Sequence, residues 1–131
     1  MKRDVIRVEP LSTYLEKVKA PTSPAIRHGD TVYVSGFPPF DPETGEIAVA
    51  SIERQTELVL EQMKICLEAA GSSLDRVVKC NVYCTPDEAH FAAFNDVYVR
   101  FFPHDAPARI FLHVPSWPGP FDIEIDCVAV I

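Results

Sequence analysis

In the stretch Glu68-Ala69-Ala70-Gly71-Ser72-Ser73-Leu74-Asp75-Arg76-Val77-Val78-Lys79-Cys80-Asn81-Val82 the pattern of the chain changes period. Before Gly71 the apolar or small positions Ile52, Val59, Met63, Cys66, Leu67 and Ala70 step mostly by three and four, the spacing of one helix face. Ser51 is placed to cap the start of that helix, and Gly71 stands where a helix-ending glycine belongs. After it, Val77-Val78-Lys79-Cys80-Asn81-Val82 is rich in β-branched residues and reads as a strand. A helix that hands directly to a strand calls for helices layered on a sheet.

Downstream the pattern repeats. Thr85-Pro86-Asp87-Glu88 fits a capping box with proline at the first helical position. Phe91, Phe94, Tyr98, Phe101 and Phe102 form an aromatic stripe on the predicted helix, which Pro103 ends. Ala108 to Val114 reads as a strand, Pro115-Ser116-Trp117-Pro118-Gly119-Pro120 as a turn, and Phe121 to Val130 as a last strand. Upstream, Lys2–Val8, Ala25–His28 and Thr31–Ser35 read as strands, the last two joined at Gly29. Pro38 to Gly45 is a loop, and Leu11–Lys19 is either a helical turn or a loop. The order β-β-β-α-β-α-β-β predicts a two-layer α+β domain, a mixed sheet with two helices on one face, over residues 1–131 as a single domain. The other face would be apolar enough to imply oligomerisation.

A chain of 131 residues, 47% hydrophobic and 24% charged, has the bulk for one core without staples. Its 12 basic and 19 acidic residues, net −7, argue against a general nucleic-acid surface. The first eight residues lack the apolar segment of a signal peptide, and no run approaches the roughly 18 apolar residues of a membrane span. Cys66, Cys80, Cys84 and Cys127 form no Cys-x-x-Cys pair, so reduced thiols and a cytoplasmic location are expected. The histidines show no ligand spacing, so no metal is expected.

Two groups carry the candidate chemistry. Arg109, delivered by Phe101-Phe102-Pro103-His104-Asp105-Ala106-Pro107-Ala108, is either a solvated strand arginine or a fork for a substrate carboxylate. Asp122, Glu124 and Asp126 are either the wet face of an edge strand, or Glu124 faces a pocket and handles a water. A hairpin around Trp117 would set residues 109 and 124 opposite each other. Ser35-Gly36 closes a strand, and its glycine either permits a turn or lets a ligand approach the backbone closely. Asn95 is on the polar side of the second helix, and His113, on the strand face of Arg109 and Phe111, is a reserve acid or base.

Several motifs, in order, resemble the RidA family, also called the YjgF or L-PSP endoribonuclease family. They are Gly29-Asp30-Thr31-Val32-Tyr33-Val34-Ser35-Gly36, Asp41-Pro42-Glu43-Thr44-Gly45, the stretch Glu68 to Lys79, Phe91-Ala92-Ala93-Phe94-Asn95-Asp96-Val97-Tyr98, Pro107-Ala108-Arg109 and Ile123-Glu124-Ile125. The resemblance runs from about residue 24 to the C-terminus. It implies a chorismate-mutase-like fold and a homotrimer with sites between subunits. It also implies an enamine/imine deaminase that acts on a small carboxylate substrate without a cofactor, yielding the keto acid and ammonia. On that resemblance Arg109 holds the carboxylate and Glu124 positions or activates water, while Ser35, Gly36 and Asn95 line or support the site. Related readings are a 2-aminomuconate deaminase of aromatic degradation, a ribonuclease or translation inhibitor, and a trimer that binds a small ligand without chemistry. Thr22 stands where the family usually has tyrosine, Ile110 where serine or threonine is common, and Phe111 where smaller side chains are frequent. With Trp117 added to the next loop, a more apolar pocket is expected, with Phe111 and Trp117 contacting substrate.

Overall fold

The computed structural model describes residues 2–131. Six strands form one open sheet: β1 (Asp4–Ile6), β2 (Ala25–His28), β3 (Thr31–Val34), β4 (Val77–Cys84), β5 (Ala108–His113) and β6 (Ile123–Val130). Their order across the sheet is β1-β2-β3-β6-β4-β5. All neighbours are antiparallel except β4 and β5, which run parallel.

Three helices accompany the sheet: α1 (Leu11–Lys17), α2 (Ile52–Ala69) and α3 (Glu88–Phe101). The α1 segment resolves as a short helix. Its Leu11 and Leu15 are buried, and Tyr14 packs on Phe40 with ring centroids 5.2 Å apart. The α2 helix starts as its sequence predicts, with the Ser51 hydroxyl accepting from the Arg54 amide, and Gly71 follows its end at φ 87°. The start of α3 corrects the expected capping box. Asp87, not Thr85, is the N-cap, and its carboxylate accepts from the Ala89 amide. The Thr85 hydroxyl is instead committed to Asp122 at 2.7 Å.

Alternation sorts each strand into two faces. Ile123, Ile125, Cys127 and Ala129 of β6 and Cys80, Val82 and Cys84 of β4 are buried under the helices. With Leu60, Met63, Leu67, Phe94 and Val97 they make the core. All four cysteines are free and buried in it. Among the described residues no helix lies over the opposite face. By register it carries Val5, Tyr33, Val130, Ile110 and Leu112, each at least 40% exposed. That is a broad apolar surface for a chain of this size.

The hairpin around Trp117 does not form. β4 lies between β5 and β6, so β5 crosses over to pair in parallel with β4. Arg109 is the partner of Cys80, whereas Glu124 is the partner of Tyr83 on the other edge of β4.

Candidate active site

Arg109 shares the face of Cys80 and therefore points toward α3. Its Nη1 donates to Asn95 Oδ1 at 2.8 Å. The guanidinium carbon sits 4.9 Å from the Tyr98 ring centre, 5.7 Å from Phe94, 5.8 Å from Phe111 and 5.9 Å from Phe91. Four rings and a neutral amide hold the cation. Among the described residues no carboxylate pairs with it. The aromatic stripe of α3 thus serves both the core and the arginine. The Tyr98 hydroxyl is buried without a hydrogen-bond partner, and the Cys80 thiol beside it is outside bonding geometry. Burial, with the neighbouring Cys80, pushes the phenol pKa far up, so Tyr98 stays neutral.

Glu124 is on the opposite, open face, with Asp126 two residues along the same strand. A Cβ built on Gly36 would lie 2.8 Å from Glu124 Oε1, so the missing side chain at position 36 is what admits the carboxylate. Burial, then the charge of Asp126, lifts the Glu124 pKa to about 7. That value suits a group that takes and returns a proton near neutral pH. Asp126 accepts from Asn81 Nδ2 at 2.7 Å. A cleft of about 440 Å³ opens beside them, lined in part by Thr22, Ser35, Gly36, Asn81 and Asp126. The Ser35 hydroxyl donates to the Ser23 carbonyl at 2.6 Å and lies 3.2 Å from the Thr22 hydroxyl. Trp117 stacks on Phe121 and meets Tyr83 edge-on, with centroids 5.4 and 6.5 Å apart. Because Tyr83 is the cross-strand partner of Glu124, Trp117 stands on the glutamate's side of the sheet. Its indole N–H is buried and has no acceptor.

The predicted residues therefore fall into two groups. Arg109, Asn95 and Phe111 lie together between α3 and β5. Ser35, Gly36, Glu124 and Trp117 belong to the open face. One chain does not bring the groups together. Asp122, read with Glu124 as one acidic row, separates from it. Its carboxylate accepts from Thr85 and from Gln55 Nε2 at 2.9 Å, and its amide donates to Gln55 Oε1 at 2.8 Å. Burial works to raise its pKa, but those hydrogen bonds outweigh it and hold Asp122 below the ordinary carboxylate range. Phe91 was not among the predicted contacts. Its place one helical turn before Asn95 was the available signal. His113 is exposed, edge-on to Phe111 at 5.9 Å. A separate groove of about 340 Å³ between α2, residues 73–77 and residues 101–107 contains neither the arginine nor the glutamate.

An open mixed sheet with three helices, a free arginine at one edge and a carboxylate against a glycine on the bare face define a RidA-type α+β protein. The chain belongs to the Endoribonuclease L-PSP family, whose profile matches residues 15–131. A RutC family protein of Pyrococcus abyssi is 41% identical over 119 residues, which cover 88% of this chain and 93% of that protein. Reactive Intermediate Deaminase A, chloroplastic, of Arabidopsis thaliana is 35% identical over 131 residues, 100% of this chain and 67% of that protein. The crystal structure of E. coli TdcF with bound serine is similar with a TM-score of 0.78 at 36% identity, covering 86% of this chain and 89% of that one. No helix among the described residues is long and apolar enough to cross a membrane.

Proposed function

We propose that this protein is a cofactor-independent deaminase that hydrolyses a carboxylated enamine or imine to the 2-keto acid and ammonia. The observation that carries the reading is Arg109, a guanidinium held by Asn95 and four rings with no acidic partner. Such a fork is ready for a carboxylate from outside the chain. The Arabidopsis relative is named a reactive intermediate deaminase, and the E. coli structure holds serine, a ligand with an α-carboxylate.

Arg109 and Glu124 serve one substrate if copies of the chain assemble with the arginine edge of one against the bare face of the next. The exposed Tyr33, Val130, Ile110 and Leu112 on that face favour such packing. A closed ring of three heterologous contacts gives three equivalent clefts. In each, Arg109 of one copy fixes the carboxylate and Glu124 of its neighbour faces the C=N carbon.

That carbon is already electrophilic once the nitrogen is protonated. The protein orients it, places a water and moves a proton. The Glu124 carboxylate takes a proton from water as the water oxygen bonds to carbon. The same proton then goes to nitrogen; as the C–N bond breaks, the carbinol hydroxyl gives its proton to Glu124, the C=O bond of the keto acid forms, and ammonia leaves, taking that proton as ammonium. Atoms and charge balance as iminium plus water to ketone plus ammonium.

The family name, Endoribonuclease L-PSP, also carries a ribonuclease reading. A net charge of −7 and the paired Glu124 and Asp126 oppose a phosphate backbone at this cleft. The discriminating experiment supplies the purified protein with an imine generated in situ from an amino acid by an amino-acid oxidase. Faster ammonia release supports the deaminase; salt-sensitive RNA cleavage without it would favour the alternative.

A further inference from the structure

The four rings around Arg109 are not equivalent. Phe94 and Tyr98 are 0% and 6% exposed and belong to the core floor. Phe91 is 48% exposed, and Phe111 is only partly buried. These two meet edge to face, with centroids 5.1 Å apart and planes at 83°. Both lie within 6 Å of the guanidinium carbon. Beside the arginine, then, an aromatic corner reaches the surface and leaves apolar area in water. Covering it is worth more to a ligand with a flat apolar group than to one with a methyl group.

A carboxylate on Arg109 has its α carbon one bond away and its side chain two. At that distance the side chain is within reach of the Phe91–Phe111 corner, both rings of which lie within 6 Å of the guanidinium carbon. From this geometry we infer that the site prefers carboxylates with an aromatic side chain, with Phe91 and Phe111 as its specificity-determining residues. On the deaminase reading, on which the substrate form of this statement rests, the preferred substrates are imines of aromatic 2-amino acids. Imines of alanine or serine are poorer ones.

Binding tests this without turnover. Phenylpyruvate and pyruvate, the keto acids that correspond to phenylalanine and alanine imines, are titrated calorimetrically into the purified protein. Phenylpyruvate is expected to bind at least about 10-fold more tightly. Phe91→Ala, a change at an exposed position, and Phe111→Leu are each expected to narrow that ratio to about 3-fold or less. No detectable phenylpyruvate binding, equal affinities in the unaltered protein, or a ratio untouched by both variants would overturn the inference. If the ratio holds but no imine is turned over, the aromatic preference stands and the deaminase reading is the one that fails.

Discussion

Arg109 and Glu124 lie on opposite faces of one sheet. Arg109 pairs with Cys80 and shares its helix-covered side, while Glu124 pairs with Tyr83 and shares the bare side. No rotamer change within a chain carries both to one ligand, because β4 separates their strands. Each group nonetheless has chemistry to offer. The arginine lacks an acidic partner, and the glutamate is held near its protonation midpoint at neutral pH.

Arg109→Ala removes the carboxylate fork. Ammonia release from a carboxylated imine should fall by about 100-fold or more, in line with the roughly 2–5 kcal/mol of a buried charge-assisted contact. Arg109→Lys should rescue little of it, because an ammonium lacks the planar two-donor geometry. Size-exclusion chromatography should show the same elution volume as the parent. Full turnover in the alanine variant contradicts the clamp.

The pH dependence follows from Glu124. A base must be ionised, so kcat/KM should rise through about pH 7 and level off above it. Asp126→Asn removes the lesser of the two causes of the raised pKa and should move the midpoint down without restoring an ordinary value. Stability runs the other way. A folded-state pKa raised above the unfolded one favours the neutral form, and that contribution is lost as pH rises through about 7. Glu124→Gln should therefore be more stable than the parent at pH 8, by about 1 kcal/mol once solvent screening is allowed for, and inactive at every pH. A flat parent pH profile would sink the assignment.

Gly36→Ala isolates the close approach to Glu124. The added methyl meets the far end of a flexible side chain at 2.8 Å, so the carboxylate should move and the fold should hold. Activity is expected to drop about 10-fold or more while stability changes by less than about 1 kcal/mol. Thermal melts beside steady-state rates check both; a large loss of stability with normal activity would contradict it.

Asp122→Ala should do the reverse. It strips the acceptor from Thr85 and Gln55, at a cost of about 2–4 kcal/mol, with the chemistry affected only through lost folded protein. The folded-state pKa of Asp122 is depressed, so its contribution is present at neutral pH and is lost as pH falls through that pKa. Urea unfolding at pH 7 and at a series of pH values below the ordinary carboxylate range measures it: the gap between the parent and Asp122→Ala should narrow as the pH falls.

Much of this was legible in the chain. Ser51 and Gly71 marked the ends of α2, and alternation in Ile123-Glu124-Ile125-Asp126-Cys127 correctly separated a core face from a wet one. The α1 helix resisted reading because it is seven residues long and its N-cap, Pro10, offers no side-chain cap. Thr85 looked like a cap because the spacing fits, but its hydroxyl serves a residue 37 positions away. The face relation of Arg109 to Glu124 was beyond local pattern. Alternation fixes sides within a strand, and comparing two strands requires knowing that β4 inserts between them. The chain's order alone left a hairpin around Trp117 open. Phe91 escaped notice because helical spacing shows which residues share a face but not that Arg109 would come beneath it.

The most direct test is subunit complementation. Arg109→Ala and Glu124→Gln proteins, each inactive alone, are unfolded together in equal amounts, refolded and assayed for ammonia release. If the site joins Arg109 of one copy to Glu124 of the next in a ring of three, random mixing restores about a quarter of the intact sites. That recovered fraction, near a quarter of the parent rate, is the predicted result. No recovery above the separate variants, with mixed oligomers shown to have formed, would contradict a site shared between copies.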